Sequence, residues 1–591
     1  MSASNLHIAW AELLLASLAS AGVRNVVVSP GSRSTPLVLA AAKESRVTCR
    51  VIVDERSAAF FALGQARASS LPTALICTSG TAAAHYFPAV IEASQSFLSL
   101  LVVCADRPWE DRDTGASQTV DQVKMFGDYV RHFAELGPPD PSPSSFRAVA
   151  RIAAQCVHRA MSPTPGPVQL NVQFRKPLEP VSAIEPEAWK SSLDEVVRKG
   201  APKIFSSPTS VDAHALNLVL EAVAHDRGLI VCGPASDASL REPLCELASQ
   251  LGYPIVAEST SQLRFGGARP SVVQAAAFDT YFRSSEFRQA HRAAVVLEIG
   301  AAPTSGGYAG YLTECRDLKR FVIAAHGHSD PRGDATALIH AEPGDFVRAL
   351  SEKWSAARRD RASDWSNIFA RAEVAAWSRA AEDTRASDLN EAVIANAVVD
   401  ALPEGGTLIV GNSNPVRDLD TFVPPTARAI AVVHQRGAAG IDGMVSGAAG
   451  FASLAPAPTI LYVGDLTLLH DLAGFAAVRH VEAPLVVVVV QNRGGRIFEE
   501  LPLFGSTTPE ETFETYFATE QSIDFEKAAA AFGIRFHLAE SSADLRQALQ
   551  NGLAQNGCTI IEARVPPHDG SRRRKKFRAD VARLLANEKR A

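Results

Sequence analysis

Short β-branched runs recur along the chain with helical segments between them. Val26–Val28, Ala74–Cys77 and Leu98–Cys104 come first, then Leu229–Cys232, Val295–Ile299 and Phe321–Ala325. Thr407–Val410, Ile430–Val433, Thr459–Val463 and Leu485–Val490 complete the series. Such alternation predicts an α/β protein whose mainly parallel sheets carry helices on both faces. The longest apolar run, Ala483–Val490, is valine-rich and short, so it reads as a buried strand.

Two breaks interrupt the pattern. Residues Pro177–Pro208 are rich in Pro, Ser and charge with little periodicity and read as a linker. Ser351–Ser387 is helical, charged and rich in Ala and Arg, with Trp354, Trp365 and Trp377 irregularly spaced, and reads as a connector lying across a domain surface. Three doubly wound domains are therefore expected, at about 1–182, 200–350 and 388–570, followed by a basic tail at 571–591. The tail opens with SRRRKKFR and reads as a solvated extension, with an anionic-partner patch as the other reading.

In an open α/β sheet, ligands bind beyond the carboxyl ends of the strands. Gly464-Asp465 ends one predicted strand and Asn492 follows the next, which puts a carboxylate and an amide on neighbouring strand ends. Mg²⁺ takes few protein oxygens and completes its shell with phosphate and water. Asp465, Asn492 and a main-chain carbonyl near Gly494 could supply that set; taken alone, both segments could equally be strand-end turns. Upstream, Gly411-Asn412-Ser413 ends a strand, and the glycine-rich stretch Arg436–Gly443 could offer backbone N–H groups to phosphate.

The N-terminal part has a matching set of loops. Val26–Val28 runs into Ser29–Pro36, dense in Ser and Gly with Arg33, a composition suited to an anion or carboxylate. Glu55 stands where an apolar strand gives way to a small-residue helix, either as a first-turn charge favoured by the helix dipole or as a buried acid. Thr78–Thr81 could cap a helix or touch a ligand. Arg107 is a second candidate for a carboxylate, and Gln118 a neutral hydrogen-bonding partner.

Composition narrows the class. The hydrophobic share is 47% and the charged share 21%, as in an ordinary soluble globular protein, and a net charge of −6 gives no reason to expect nucleic acid as a partner. No stretch approaches the roughly 20 apolar residues of a membrane span. Met1–Leu15 lacks the features of a secretory signal. Eight cysteines without a CxxC pair suggest neither a disulfide framework nor a zinc site, so a cytoplasmic location is expected.

Taken together, these motifs resemble the thiamine-diphosphate-dependent enzymes and, among them, the 2-succinyl-5-enolpyruvyl-6-hydroxy-3-cyclohexene-1-carboxylate synthase (MenD) family. The resemblance rests on SPGSRSTPL at 29–37, DERSAAFFALG at 54–64, TSGTAAAHYFPAVIEAS at 78–94, ADRP at 105–108, GASQTVDQ at 115–122 and GPVQLNV at 166–172. It continues in GNSNPVRDLD at 411–420, RGAAGIDG at 436–443, GDLTLLHDL at 464–472 and IFEELP at 497–502. Both outer domains are covered well; the middle one matches mainly in position and size.

The resemblance implies a thiamine-diphosphate-binding fold and an enzyme of menaquinone biosynthesis, a transferase that decarboxylates 2-oxoglutarate and adds the succinyl carbanion to isochorismate in a 1,4 sense. Glu55 would hydrogen-bond the aminopyrimidine as a buried acid of raised pKa. Ile441 would be the apolar wedge that bends the cofactor, and Asn412 and Ser413 would lie against it. Asp465, Asn492 and the Gly494 carbonyl would bind Mg²⁺ (or Mn²⁺). Ser413 and Arg417 resemble the family's grip on the donor; Ser32, Arg33, Arg107 and Gln118 resemble its contacts to the acceptor and reacting centre. Arg436 also stands in the pattern, and Ile497, Phe498 and Leu501 would wall the intermediate.

The family builds each site between two chains, so a homodimer or larger homo-oligomer is implied, with Glu55 of one chain meeting Asp465 of another. Three departures stand out. The metal stretch reads Gln491-Asn-Arg-Gly-Gly-Arg496, with Arg493 and Arg496 added beside the metal; Leu466 follows Gly464-Asp465; and Ala301–Tyr311 holds no basic residue, so no substrate contact is carried over from the middle domain. The alternative enzyme is another 2-oxo acid carboligase of the acetolactate synthase type, which the set Arg33, Arg107 and Arg417 disfavours. A binding protein that kept the fold is disfavoured by Glu55, Asp465 and Asn492 occurring together. A dinucleotide dehydrogenase lacks its GxGxxG loop.

Overall fold

The computed structural model describes residues 6–180, 189–207, 210–235, 238–267, 269–356, 364–386, 388–506 and 508–588. Three six-stranded sheets follow one another along the chain. The first holds β1 (Asn25–Val28), β2 (Thr48–Val51), β3 (Thr73–Cys77), β4 (Leu100–Asp106), β5 (His132–Leu136) and β6 (Val168–Gln173), in the order β2-β1-β3-β4-β6-β5. The second holds β7 (Gly228–Cys232), β8 (Ile255–Ala257), β9 (Gln274–Ala275), β10 (Val295–Ile299), β11 (Lys319–Ala324) and β12 (Ala337–His340), in the order β12-β11-β10-β7-β8-β9. The third holds β13 (Thr407–Val410), β14 (Ala431–His434), β15 (Thr459–Gly464), β16 (Pro484–Gln491), β17 (Arg535–Ala539) and β18 (Gly557–Arg564), in the order β14-β13-β15-β16-β18-β17. The pairings β3–β4, β10–β7 and β15–β16 at the sheet centres are parallel, so successive strands are joined by crossovers that place helices on the faces.

Each strand expected from an apolar run is present. Strands β5, β6, β8, β9, β12, β17 and β18 were not expected, because they are very short or polar residues break their apolar content. In β6 the alternate residues Gln169, Asn171 and Gln173 are buried yet partnered: Gln169 Nε2 donates to Gln122 O at 2.6 Å, Asn171 Nδ2 to Asp106 Oδ2 at 2.8 Å and Gln173 Nε2 to Glu135 Oε1 at 2.7 Å. Each of these amide nitrogens donates to a partner, which makes a buried polar face of this kind tolerable, while Gln169 Oε1 is left without one.

The first and third sheets are joined through the helices Glu55–Ser69 and Met444–Ala452, which contribute to one shared core with Phe60, Phe61, Leu461 and Val487. Small residues make this possible. A Cβ built at Gly64 would lie 2.0 Å from the Gly447 carbonyl oxygen, and one at Gly450 would lie 1.9 Å from that of Phe61. Burial of Phe60 and Phe61 at this crossing stabilises the pair by about 1.5–3 kcal/mol each.

Two sequence expectations need correction. Within the predicted linker, Lys190–Lys199 forms a helix whose Val196 is buried against the first domain with Trp189 and Leu193; residues 181–188 and 208 of that stretch lie outside the described residues. The tail is not a solvated extension. Asp569–Glu588 is one helix, with Phe577 and Val581 fully buried against Phe422 and the connector helix Trp365–Thr384. Its basic residues hide an apolar stripe that a charge count overlooks; residues 589–591 lie outside the described residues. Among the described residues, no helix is long and apolar enough to cross a membrane.

The connector helix also carries Glu373, buried beneath the middle domain. It accepts from Ala277 N and Tyr281 Oη, each at 3.0 Å, and from Trp377 Nε1 at 2.8 Å. Burial outweighs these donors and pushes its carboxyl from 4.5 up to about 7. The folded chain therefore holds a proton that the unfolded chain releases, so the stability contributed is complete below pH 4.5 and is lost as pH rises through about 7. Glu373→Gln should remove this dependence: the melting temperature of the wild type, measured against E373Q by scanning fluorimetry, should fall between pH 4.5 and 7 and then level off.

Candidate active site

At the carboxyl ends of β13, β14, β15 and β16 lies a cavity of about 330 Å³. Asn412, Ser413, Arg417, Arg436, Ile441, Asp465, Asn492, Gly494, Ile497 and Phe498 line it, together with Glu391, Asp418, Thr467 and Arg496. The structure thus gathers most of the third-domain residues singled out from the sequence. Leu501 lies outside the lining and is exposed.

Backbone requirements explain the loops. Gly411 leaves β13 where a Cβ would press on Val463 at 2.9 Å, and its N–H donates to Tyr462 O at 2.8 Å. Asn412 Nδ2 donates to Gln435 O at 2.8 Å and Gly440 O at 2.7 Å, while its Oδ1 accepts from Arg436 Nη1 at 2.8 Å. Its polar atoms therefore shape the glycine-rich loop that presents Arg436 and Ile441. From the first domain, Glu92 grips the same loop, accepting from Gly437 N at 3.0 Å and Ala438 N at 2.7 Å. Ser413 adopts φ 70°, a left-handed conformation that opens the helix Asn414–Phe422, and Arg417 Nη1 donates to the Ser413 carbonyl at 2.6 Å.

The oxygen donors lie on two adjoining loops. Asp465 Oδ1 accepts from Leu466 N and Oδ2 from Gly494 N, each at 2.7 Å. The second loop turns through positive φ at Arg493 and Gly494, and a Cβ on Gly494 would meet the Ala518 carbonyl at 2.1 Å. Burial raises the Asp465 carboxyl pKa, opposed by the two N–H donors and by Arg496. One carboxylate, one amide oxygen and one main-chain carbonyl on neighbouring strand ends fit a hard divalent cation that retains further sites for phosphate and water.

The two arginines of the loop have distinct settings. Arg496 turns inward, donating to Glu514 Oε1 and Oε2 at 2.7 and 3.0 Å and to the carbonyls of Asn492 and Arg493 at 3.1 and 3.0 Å. It is a staple of the loop rather than a free charge upon it. Arg493 stands exposed, 3.8 Å from Glu520.

The first-domain candidates form a second cluster, and none of them lines the cavity. The close approach of Gly31 to Thr78 and the bond from Arg33 N to Thr78 Oγ1 at 3.3 Å join the Ser32-bearing loop to the end of β3. Arg33 is buried, and burial together with nearby Arg107 lowers its pKa. Gln118, at φ 56°, donates through Nε2 to Ser79 O at 3.1 Å. Asp54 caps the helix Glu55–Ser69 by accepting from Ser57 N at 2.8 Å, which leaves Glu55 in the first turn. Within this chain Glu55 is only half-buried, so the buried-acid expectation is not met by one chain alone. Beside the cluster, Val53 is 71% exposed and Trp109 65% exposed, unusual for large apolar side chains.

Sequence reasoning missed Glu391 and Asp418. Both line the cavity, and burial pushes Glu391 up to about 7 and raises Asp418 as well. Nothing in their local sequence separates Glu391 from an ordinary first-turn acid or Asp418 from an ordinary mid-helix one. Glu258 was also missed; it holds the Ala301–Tyr311 stretch, accepting from Thr304 N at 2.6 Å and Ser305 N at 3.0 Å, and burial and nearby Asp420 push its carboxyl up.

Comparison with known proteins matches the chain to three family models: the thiamine pyrophosphate enzyme N-terminal TPP binding domain at residues 8–125, the middle domain of thiamine pyrophosphate enzymes at 187–410 and the C-terminal TPP binding domain at 426–563. Proteins named 2-succinyl-5-enolpyruvyl-6-hydroxy-3-cyclohexene-1-carboxylate synthase match over nearly full length. The protein from Sorangium cellulosum is 49% identical over 99% of this chain and 97% of its own, and that from Myxococcus xanthus 39% over 95% of each. The protein from Haloarcula marismortui is 37% identical over 100% of both. Among solved structures, a thiamine diphosphate-dependent 4-hydroxybenzoylformate decarboxylase from Rhodococcus jostii shares the fold, with a TM-score of 0.69, 16% identity and coverage of 96% of this chain and 100% of its own.

Asp465→Asn should weaken Mg²⁺-dependent binding of thiamine diphosphate by at least about a hundredfold, more than loss of an outer partner would, as read by calorimetry. Because its carboxyl is raised by burial, wild-type binding should decline with acid at a higher pH than an ordinary aspartate would dictate.

Proposed function

The chain belongs to the thiamine pyrophosphate enzymes and, within them, to the 2-succinyl-5-enolpyruvyl-6-hydroxy-3-cyclohexene-1-carboxylate synthase family of menaquinone biosynthesis, and on that premise we propose how its residues divide the reaction. The substrates are 2-oxoglutarate and isochorismate. The observation that carries the proposal is the joining of Asp465, Asn492 and Gly494 with Arg417, Arg436 and Ile441 in one cavity. Thiamine diphosphate, when bound, would supply the nucleophilic carbon and the electron sink.

Asp465, Asn492 and the Gly494 carbonyl would hold Mg²⁺ (or Mn²⁺), which would neutralise the diphosphate. Ile441, on the loop fixed by Asn412 and Glu92, would be the apolar wedge pressed against the bound cofactor. Arg417 and Ser413 receive the donor carboxylates, and Arg436 adds a second cation; each charge-assisted contact contributes about 1.5–3 kcal/mol. Ile497 and Phe498 would keep water from the reacting carbon; Leu501, exposed and outside the lining, would join that wall only on substrate binding or association.

Glu55 would hold a proton at its carboxyl toward the aminopyrimidine of the bound cofactor, and Ser32, Arg33, Arg107 and Gln118 would face the acceptor. Since none of these five lines the cavity of its own chain, they act on the cavity of a partner, in a homo-oligomer whose sites lie between two chains. Association covers Val53 and Trp109 and completes the burial of Glu55 that the catalytic role requires. A cytoplasmic location accords with eight free cysteines. The acetolactate-synthase-type alternative is disfavoured by the full-length relatives and by the number of arginines at the two clusters.

Incubation of the purified protein with Mg²⁺, thiamine diphosphate, 2-oxoglutarate and isochorismate should yield the coupled adduct, identified by mass, whereas pyruvate alone should turn over poorly. Efficient turnover of pyruvate with no adduct would reject the assignment. Glu55→Gln should lower kcat by about 10²–10⁴ while calorimetry still detects bound cofactor; unchanged kcat would remove Glu55 from the mechanism.

A further inference from the structure

We propose that Arg574, carried by the basic C-terminal helix Asp569–Glu588, is a positioning residue of the active site, fixing the segment that bears Arg417 against the segment that carries the apolar wall. The proposal rests on the preceding reading of the cavity. Arg574 is only 1% exposed, far inside for an arginine in a run of six basic residues out of seven between Arg572 and Arg578. Its Nη1 donates to Asp418 Oδ1 at 2.7 Å and its Nε to Glu500 Oε1 at 3.1 Å.

These two partners belong to different walls of the site. Asp418 lines the cavity in the helix Asn414–Phe422, next to Arg417. Glu500 ends the short helical turn Arg496–Glu500 that carries Ile497 and Phe498. One planar guanidinium therefore spans two segments far apart in sequence. Arg578 reinforces the second, donating to Glu500 Oε2 at 2.7 Å.

The same helix touches a third cavity residue. A Cβ at Gly570 would lie 2.4 Å from Glu391 Oε1, so the first turn approaches that carboxyl as closely as only glycine allows. The helix is also seated through residues that do not line the cavity: Phe577 packs on Phe422 with ring centroids 5.5 Å apart, and Asp580 accepts from Arg379 Nε at 2.9 Å. A buried ion pair contributes little net stability compared with apolar packing of the same volume, and its best-attested use is to fix a register. At this position the register is the spacing between the donor-binding cation and the wall over the reacting carbon.

Three variants test the proposal. R574M removes the bridge, R574K keeps one point charge that cannot reproduce the fork, and R573M removes a neighbouring arginine that pairs with Asp569 and Asp383 instead of a cavity-lining residue. The expected result is a KM for 2-oxoglutarate raised about tenfold or more in R574M, an intermediate value in R574K, and R573M within about twofold of wild type. Calorimetric titration with Mg²⁺ and thiamine diphosphate gives a second readout, independent of turnover, that should weaken in the same order. If R574M fails to fold, R574K decides.

KM and cofactor affinity both within about twofold of wild type, in whichever Arg574 variant folds, would overturn the proposal, as would R573M matching the Arg574 variants in both. A wild-type enzyme that does not turn over 2-oxoglutarate would instead count against the substrate assignment, and the cofactor titration would then judge the brace alone.

Discussion

The site depends first on how closely two helices can approach. Glu55–Ser69 and Met444–Ala452 meet backbone to backbone at Gly64, Gly447 and Gly450. A methyl group at Gly64 or Gly450 would need to occupy space already filled by a carbonyl oxygen. The contact merges the first and third cores, and from it follow the grip of Glu92 on the glycine-rich loop and the seat of Phe60 beneath Gly443, where φ is +66°. Packing this dense has low compliance, so the loop presenting Arg436 and Ile441 inherits the rigidity of a core rather than the mobility of a surface connection.

Much of the third-domain cavity was legible because parallel sheets concentrate function at one kind of place. A valine-rich run followed at once by Gly-Asp or Gln-Asn signals a strand end, and in a doubly wound sheet the strand ends share one crevice. That logic found Asp465, Asn492 and Ser413 without any contact information. It could not find Glu391, whose setting in sequence is that of any first-turn acid, or Asp418, which sits mid-helix like many a solvated acid. Their burial comes from a helix far along the chain, Asp418 beneath Arg574 and Glu391 beside Gly570. The basic tail failed for the same reason. Charge density described its outer face, whereas Phe577 and Val581 at helical spacing set its fate. Strands β5 and β6 were lost to a different limit, since a buried polar strand depends on partners elsewhere for its amide nitrogens, and those partners are not local.

The loop after β16 shows how a departure in sequence can preserve a geometry. Two added arginines would, as free charges, repel a bound cation. Arg496 is instead held by Glu514 in a two-pronged pair and by two carbonyls of the loop itself. Its charge is consumed in holding the turn that Gly494 and Gly495 begin against the Ala518 carbonyl. Charge count alone would have misjudged it; partner and direction decide what a guanidinium does.

The bare apolar surface of Val53 and Trp109 has a further consequence. These side chains flank Glu55 and Arg107, so in the proposed assembly the area that drives association and the acid that serves the neighbour's cavity occupy one patch. Dilution would then withdraw the adhesive and the proton donor in a single event. Specific activity would follow the fraction of paired molecules, and a lone protomer could keep its metal cradle intact while being chemically mute.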